Sequence, residues 1–99
     1  MAKNKKRNVV VTTNGSRRGV FMGELVKHDI KAETCTLKNA YMCVYWSEET
    51  KGVLGLAGIG PQSGSRITPA VPSIELNGVT CVMDMTKDAV EKWQEQPWG

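Results

Sequence analysis

Residues 58–72 read Gly-Ile-Gly-Pro-Gln-Ser-Gly-Ser-Arg-Ile-Thr-Pro-Ala-Val-Pro. Glycine, serine, proline and a single arginine at this spacing suit anion binding. Glycines let successive backbone N–H groups turn toward one point, and prolines stiffen the exit of the turn. The arginine adds a planar fork that meets a phosphate with two parallel hydrogen bonds. The expected ligand contacts are Gly60, Gln62, Ser63, Gly64, Ser65 and Arg66. The segment lacks the Gly-Lys-Ser/Thr of a nucleotide-triphosphate loop, and no helix is expected after it. Its glycine spacing is not that of a dinucleotide fingerprint.

Aromatic residues are few, so their placement carries weight. Tyr41 and Tyr45 fall on one face of a strand-like run and Trp46 on the other. Tyr45 or Trp46, beside Arg17, Arg18 or Arg66, could stack a nucleobase. Trp93 and Trp98 are expected to dock the terminal helix and tail.

Catalytic signals are weak. His28 is the single histidine and adjoins Asp29 in an expected polar turn, where the two make no shielded acid–base pair. A multi-histidine metal site is impossible with one histidine, and no Gly-x-Ser-x-Gly elbow is present. The cysteines, Cys35, Cys43 and Cys81, are odd in number and form no C-x-x-C pair. Each sits in an apolar or alternating run and reads as a buried free thiol. The chain is thus read as a non-enzymatic protein without metal or cofactor.

Charge narrows the partner further. The net charge is +3, yet Lys3, Lys5, Lys6 and Arg7 supply four positive charges at once. The remaining residues carry nine basic and ten acidic groups. A near-neutral body lacks the basic face of a duplex-binding domain and suits a ligand with few phosphates better than a long strand. No apolar run approaches the length of a membrane span, and no secretory h-region follows the start, so the expected compartment is the cytoplasm.

The elements that must position these residues are mostly strands. Asn8–Thr13, Gly19–Lys27, Thr34–Ala40, Tyr41–Trp46, Ser73–Leu76 and Val79–Met85 are rich in β-branched or alternating residues. Asn14-Gly15 is a hairpin signal and Asn77-Gly78 a second tight turn. Gly23 marks a bulge or sharp bend, and Gly52–Ile59 reads as a further, glycine-interrupted strand. Thr86 caps a helix over about residues 87–95 whose apolar stripe is Ala89, Val90 and Trp93, with Asp88 near its positive end. The expected fold is all-β: a small, strongly bent β-barrel with one C-terminal helix, spanning residues 8–99 after a basic, flexible tail of residues 1–7. Ninety-nine residues build one modest core, so a homo-oligomer is expected.

Two resemblances add to this. Gly23-Glu24-Leu25-Val26-Lys27-His28-Asp29, followed by Thr36-Leu37-Lys38-Asn39-Ala40, resembles the first signature of Sm-like (Lsm/Hfq-type) proteins over residues 19–40. It implies a bent barrel and, by family habit, an RNA-binding ring. The family's second signature, a hydrophobic residue followed by Arg-Gly or Lys-His, does not stand near the end of this chain. Tyr45-Trp46-Ser47-Glu48-Glu49-Thr50-Lys51-Gly52, Gly60-Pro61-Gln62-Ser63-Gly64 and the closing Trp93-x-x-x-Pro97-Trp98 are similar to small bacteriophage and prophage proteins. That likeness implies a phage accessory protein, some of which sequester signalling nucleotides. The expectation is therefore a binding protein for a small phosphorylated ligand, such as a cyclic oligonucleotide, in a pocket shared between subunits. The alternatives are an Sm-like RNA-binding ring and a protein–protein inhibitor or virion accessory protein.

Overall fold

The computed structural model describes residues 7–14 and 19–96. Three strands open the chain: β1 (Asn8–Thr13), β2 (Val20–Asp29) and β3 (Thr34–Tyr45). A 3-10 turn over Glu48–Thr50 leads into α1 (Gly52–Gly58). Then come β4 (Arg66–Ile67), β5 (Val71–Asn77), β6 (Val79–Asp84) and α2 (Lys87–Glu95).

All ladders are antiparallel. The sheet runs β4-β3-β2-β1-β6, and β5 also pairs with β3. The long β3 serves two partners on one edge: β5 along Thr34–Ala40 and β4 at Cys43 and Tyr45. β5 and β6 therefore lie at opposite edges, although only Gly78 separates them. A sheet whose two edge strands are joined by one residue must coil until those edges meet at that corner. Bends make this possible. Register slips between Met22 and Glu24, with Gly23 tucked against Leu37 and the Lys38 carbonyl. Opposite, Asn39 takes φ +50° and its Nδ2 donates to Glu24 Oε2 at 3.0 Å. The sheet is coiled but not closed, since β5 and β6 share no ladder among the described residues.

Coiling gives each face of the sheet a core. Val9 and Val11 join Leu37, Ala40 and Leu76 inside the coil. Val10 points the other way, to Met22, Cys43, Leu56, Ile67 and Trp93 beneath the helices. All three valines are fully buried, which explains an uninterrupted apolar run where a one-sided strand would alternate.

The helices correct the all-β expectation. Gly52–Gly58 is α-helical rather than a strand, because Val53, Leu56 and Ala57 recur at helical spacing and all face the second core. The C-terminal helix lies over Lys87–Glu95 as expected, with Thr86 Oγ1 accepting from Ala89 N at 3.1 Å. The same hydroxyl donates to Gly58 O at 2.8 Å, and Trp93 Nε1 donates to Leu56 O at 2.9 Å. Two carbonyls at the end of α1 are thus satisfied by α2, which locks the two helices together. The fold is mostly β, with one antiparallel sheet and a C-terminal helix. Thr34–Tyr45 is one bent strand that joins the two adjoining runs.

Of the basic tail, Lys3, Lys5 and Lys6 lie outside the described residues. Arg7 is held: its carbonyl accepts from Leu25 N at 2.8 Å and its Nε meets Asp84 Oδ1 at 2.7 Å. Among the described residues, no helix is long and apolar enough to cross a membrane.

Candidate functional site

The glycine–serine–proline segment leaves α1 and folds back against α2. Gly60 makes that possible. It has φ +85°, and a Cβ there would stand 2.6 Å from Lys92 Cβ and 3.0 Å from Ala89 Cα. Glycine alone tolerates both the angle and the approach. Pro61 behind it is fully buried.

A polar cluster then fastens the loop to the 3-10 turn. Thr50 is fully buried, and its Oγ1 accepts from Gln62 N at 3.0 Å. Ser65 Oγ accepts from Ser47 N at 3.0 Å and lies 3.4 Å from Thr50 Oγ1. Ser65 N closes the Ser63–Gly64 turn onto Gln62 O at 3.1 Å, and Gln96 Nε2 from the end of α2 donates to Ser65 O at 2.8 Å. Buried hydroxyls satisfied in this way rigidify the segment they join.

The loop is therefore held, and three of its amides do not join the expected cradle. Gly60 N donates to Gly55 O, Gln62 N to Thr50 and Ser65 N to Gln62 O. These donors face the protein. Gln62, Ser63, Gly64 and Arg66 line a cleft of about 650 Å³ together with Lys92 and Glu95 of α2. Arg66 and Lys92 bring two positive charges against the one negative charge of Glu95.

Tyr45 neighbours Arg66 through the sheet but does not itself line the cleft. It is the ladder partner of Arg66, so the two side chains share a face, and both are exposed. Trp46 does not join it: half-buried, it packs on the core under the helices and borders a separate groove. Arg17 and Arg18 lie outside the described residues, as does Trp98. Ser65 lines the cleft although its hydroxyl turns inward, and Gly60 backs the loop rather than lining the cleft.

Residues 92, 95 and 96 were not singled out in the sequence. Their signal was present: Lys92, Glu95 and Gln96 stand at i, i+3 and i+4, one face of the expected terminal helix. What the sequence lacked was that this face lies beside the loop. Ser47 and Thr50 stand in a polar stretch, yet both are buried.

Other titratable groups lie elsewhere. His28 is exposed at the end of β2, and Asp29 Oδ1 accepts from Ala32 N at 3.1 Å to shape the following turn. No group of three or more His, Cys, Asp or Glu side chains able to hold a metal occurs among the described residues. Cys35 and Cys43 are buried free thiols, as expected, and Cys81 is exposed, contrary to expectation. Its position on the open edge strand β6 leaves its side chain uncovered. Burial pushes the Cys43 thiol up to about 11, opposed by a backbone hydrogen bond from Tyr45.

The family model described as a domain of unknown function (DUF6948) matches residues 6–93, and the chain belongs to that family. No curated protein and no solved structure matches the chain.

Proposed function

We propose that this protein is a non-enzymatic binding protein that holds a small phosphorylated ligand in the cleft between the 60–66 loop and α2. One observation carries the reading: a rigidly fastened loop sets Arg66 opposite Lys92 across a cleft of about 650 Å³, with an exposed tyrosine beside the arginine. The volume suits a nucleotide-sized guest. Arg66 and Lys92 contact phosphate, Gln62 and Ser63 offer neutral hydrogen-bonding groups, and Tyr45 supplies a face on which a base can stack. A cyclic oligonucleotide signal has this chemistry. Sequestering it requires affinity and abundance rather than a reaction. The reading includes a phage or prophage origin, a homo-oligomeric state and action in the host cytoplasm, and rests for these on the sequence resemblance and the small size of the core.

A second reading is supported by the strand order. The resemblance over residues 19–40 implies a bent barrel, and a meander of β1, β2, β3 and β5 whose next strand returns to pair with β1 agrees with that expectation. On that reading the ligand is single-stranded RNA. Salt separates the two, because RNA affinity falls with a log–log slope of about −0.7 per contacted phosphate.

The test is thermal shift with native mass spectrometry against cyclic di- and trinucleotides and a short RNA. A ligand at 100 times its dissociation constant stabilises by about 2.7 kcal/mol. Arg66→Ala, removing one charge-assisted contact, weakens that ligand by about 10- to 100-fold. A panel that shifts nothing, or an Arg66→Ala protein that binds as wild type, overturns the proposal.

A further inference from the structure

The side chains of the cleft differ in what they have left to offer a guest. Gln62 Nε2 donates to Gly60 O at 3.0 Å and to Ile59 O at 3.3 Å. Gln96 Nε2 donates to Ser65 O at 2.8 Å. A backbone carbonyl only accepts, so in each case the atom that meets it must be the amide nitrogen. With two carbonyls to serve, Gln62 has its N–H groups engaged within the loop and keeps its Oε1 for a guest. Gln96 keeps its Oε1 and one N–H. Glu95 is exposed on the last turn of α2, and its carboxylate makes no hydrogen bond or ion pair with another described residue. The cleft thus holds cationic donors in Arg66 and Lys92 and acceptors in Glu95, Gln62 and Gln96. Phosphate explains the donors. It does not explain the acceptors, because a carboxylate repels it.

We propose that the phosphorylated guest of this cleft carries guanine, and that Glu95 selects it by accepting from the N1–H and the exocyclic amino group of the base. The proposal rests on the phosphorylated-ligand reading of the cleft and adds the identity of the base. Among the common nucleobases guanine alone sets two donors side by side on its Watson–Crick edge, a fork that the two oxygens of a carboxylate meet together. Adenine brings one donor and a ring nitrogen whose lone pair would face a carboxylate oxygen. The guanine amino group has a second N–H, for which Gln62 Oε1 is an acceptor in the same cleft. A ribose also carries hydroxyl donors. Hydroxyls accept as well as donate, however, and Ser63 or Lys92 would serve them equally well. Groups that only donate are the ones that require partners that only accept. Spacing agrees: Lys92 and Glu95 lie about 4.5 Å apart along the α2 axis, so one helix supplies a cation for phosphate and a carboxylate for the base edge.

Isothermal titration calorimetry of the full chain against cyclic diguanylate, its 2′-deoxy counterpart and cyclic diadenylate tests this. The three share one phosphodiester ring and differ only in base or hydroxyl. Cyclic diguanylate should bind about 10- to 100-fold more tightly than cyclic diadenylate, and the 2′-deoxy form should bind like its parent. Glu95→Gln replaces one carboxylate oxygen by a donor amide at an exposed position, so circular dichroism should stay unchanged while the guanine-to-adenine ratio falls to about one. Arg66→Ala should weaken both ligands alike and preserve the ratio. Equal affinity for the two bases, a preference for adenine, or a guanine preference that survives Glu95→Gln overturns the assignment and leaves the phosphate reading standing. Loss of binding in the 2′-deoxy form gives the acceptors to ribose and overturns it too. A protein that binds none of the three also overturns it, and the reading beneath it falls only if the short RNA and the cyclic trinucleotides fail as well.

Discussion

Thr50→Val tests whether the cleft wall is held from behind. Valine keeps the shape of threonine and removes its hydroxyl. Thr50 is fully buried, so no solvent replaces the lost oxygen at once. The chief loss is the acceptor for Gln62 N, a bond of 3.0 Å. The contacts from Thr50 Oγ1 to Ser47 Oγ and Ser65 Oγ are both 3.4 Å and contribute little. Leaving a buried donor unpaired costs about 1–3 kcal/mol. Gln62 itself is half-buried, so water reaches part of the freed amide and the cost lies near the middle of that range, about 2 kcal/mol. In a domain of this size that lowers the melting temperature by about 8–16 °C. Circular dichroism melts measure the loss. Amide exchange locates it: Gln62 and Ser65 should exchange faster, while Val9–Val11 in β1 change only with global stability. Ser63→Ala, at an exposed position of the same loop, should stay within about 0.5 kcal/mol of wild type. A drop below about 2 °C with unchanged exchange at Gln62 would refute the idea that Thr50 fastens the loop.

Gly60→Ala should cost about 2–4 kcal/mol in urea denaturation, combining a left-handed backbone angle with a Cβ driven into Lys92 and Ala89; a variant within 0.5 kcal/mol of wild type, roughly the scatter of surface substitutions, contradicts the packing of loop on helix. Native alkylation read by mass spectrometry should label Cys81 first, with Cys35 and Cys43 protected until unfolding. The folded protein keeps the Cys43 proton where the unfolded chain loses it, so this thiol contributes stability in full below its ordinary value of 9.0. That contribution is lost as pH rises from 9.0 through about 11, and Cys43→Ala should flatten this part of the stability curve.

Local chemistry was legible in the sequence wherever short-range rules decide. The Thr86 cap, the α2 span, the Gly23 bulge and the Asn77-Gly78 corner all follow from a few neighbouring residues. The error over Gly52–Ile59 has a physical origin. Val53, Leu54, Leu56 and Ala57 fit a short strand as well as a short helix, and only the packing of Leu56 and Ala57 onto Trp93 decides. The loop shows the same limit from the other side. Its glycines and serines do mark a held turn, but whether an amide faces a guest or a buried threonine depends on Ser47 and Thr50, distant in sequence from Ser65. Lys92 became visible as a cleft residue only once α2 was placed against the loop.

The connection from Trp46 to Ser65 deserves a physical account, because β3 and β4 are antiparallel neighbours that a tight turn could join. The fold does not require so long a path, and its inner side is nonetheless built into the core. Leu56 is fully buried and Ala57 nearly so, and the Leu56 carbonyl receives the Trp93 indole. The connection is therefore no loose insertion. Cutting it back would uncover Trp93 and strip α2 of its partner. Inner residues that cannot be spared give the outer residues a rigid base, the condition for a precise binding surface. The outer surface that results carries a polar cleft with Arg66 and Lys92 after the helix, and Leu54 stands exposed upon α1. The cluster of Ser47, Thr50 and Ser65 lies behind the cleft, so the cleft should respond to its loss. Thr50→Val should loosen the cleft and weaken the ligand held by Arg66 and Lys92, whereas Leu54→Glu, on the exposed side of α1, should leave that affinity unchanged.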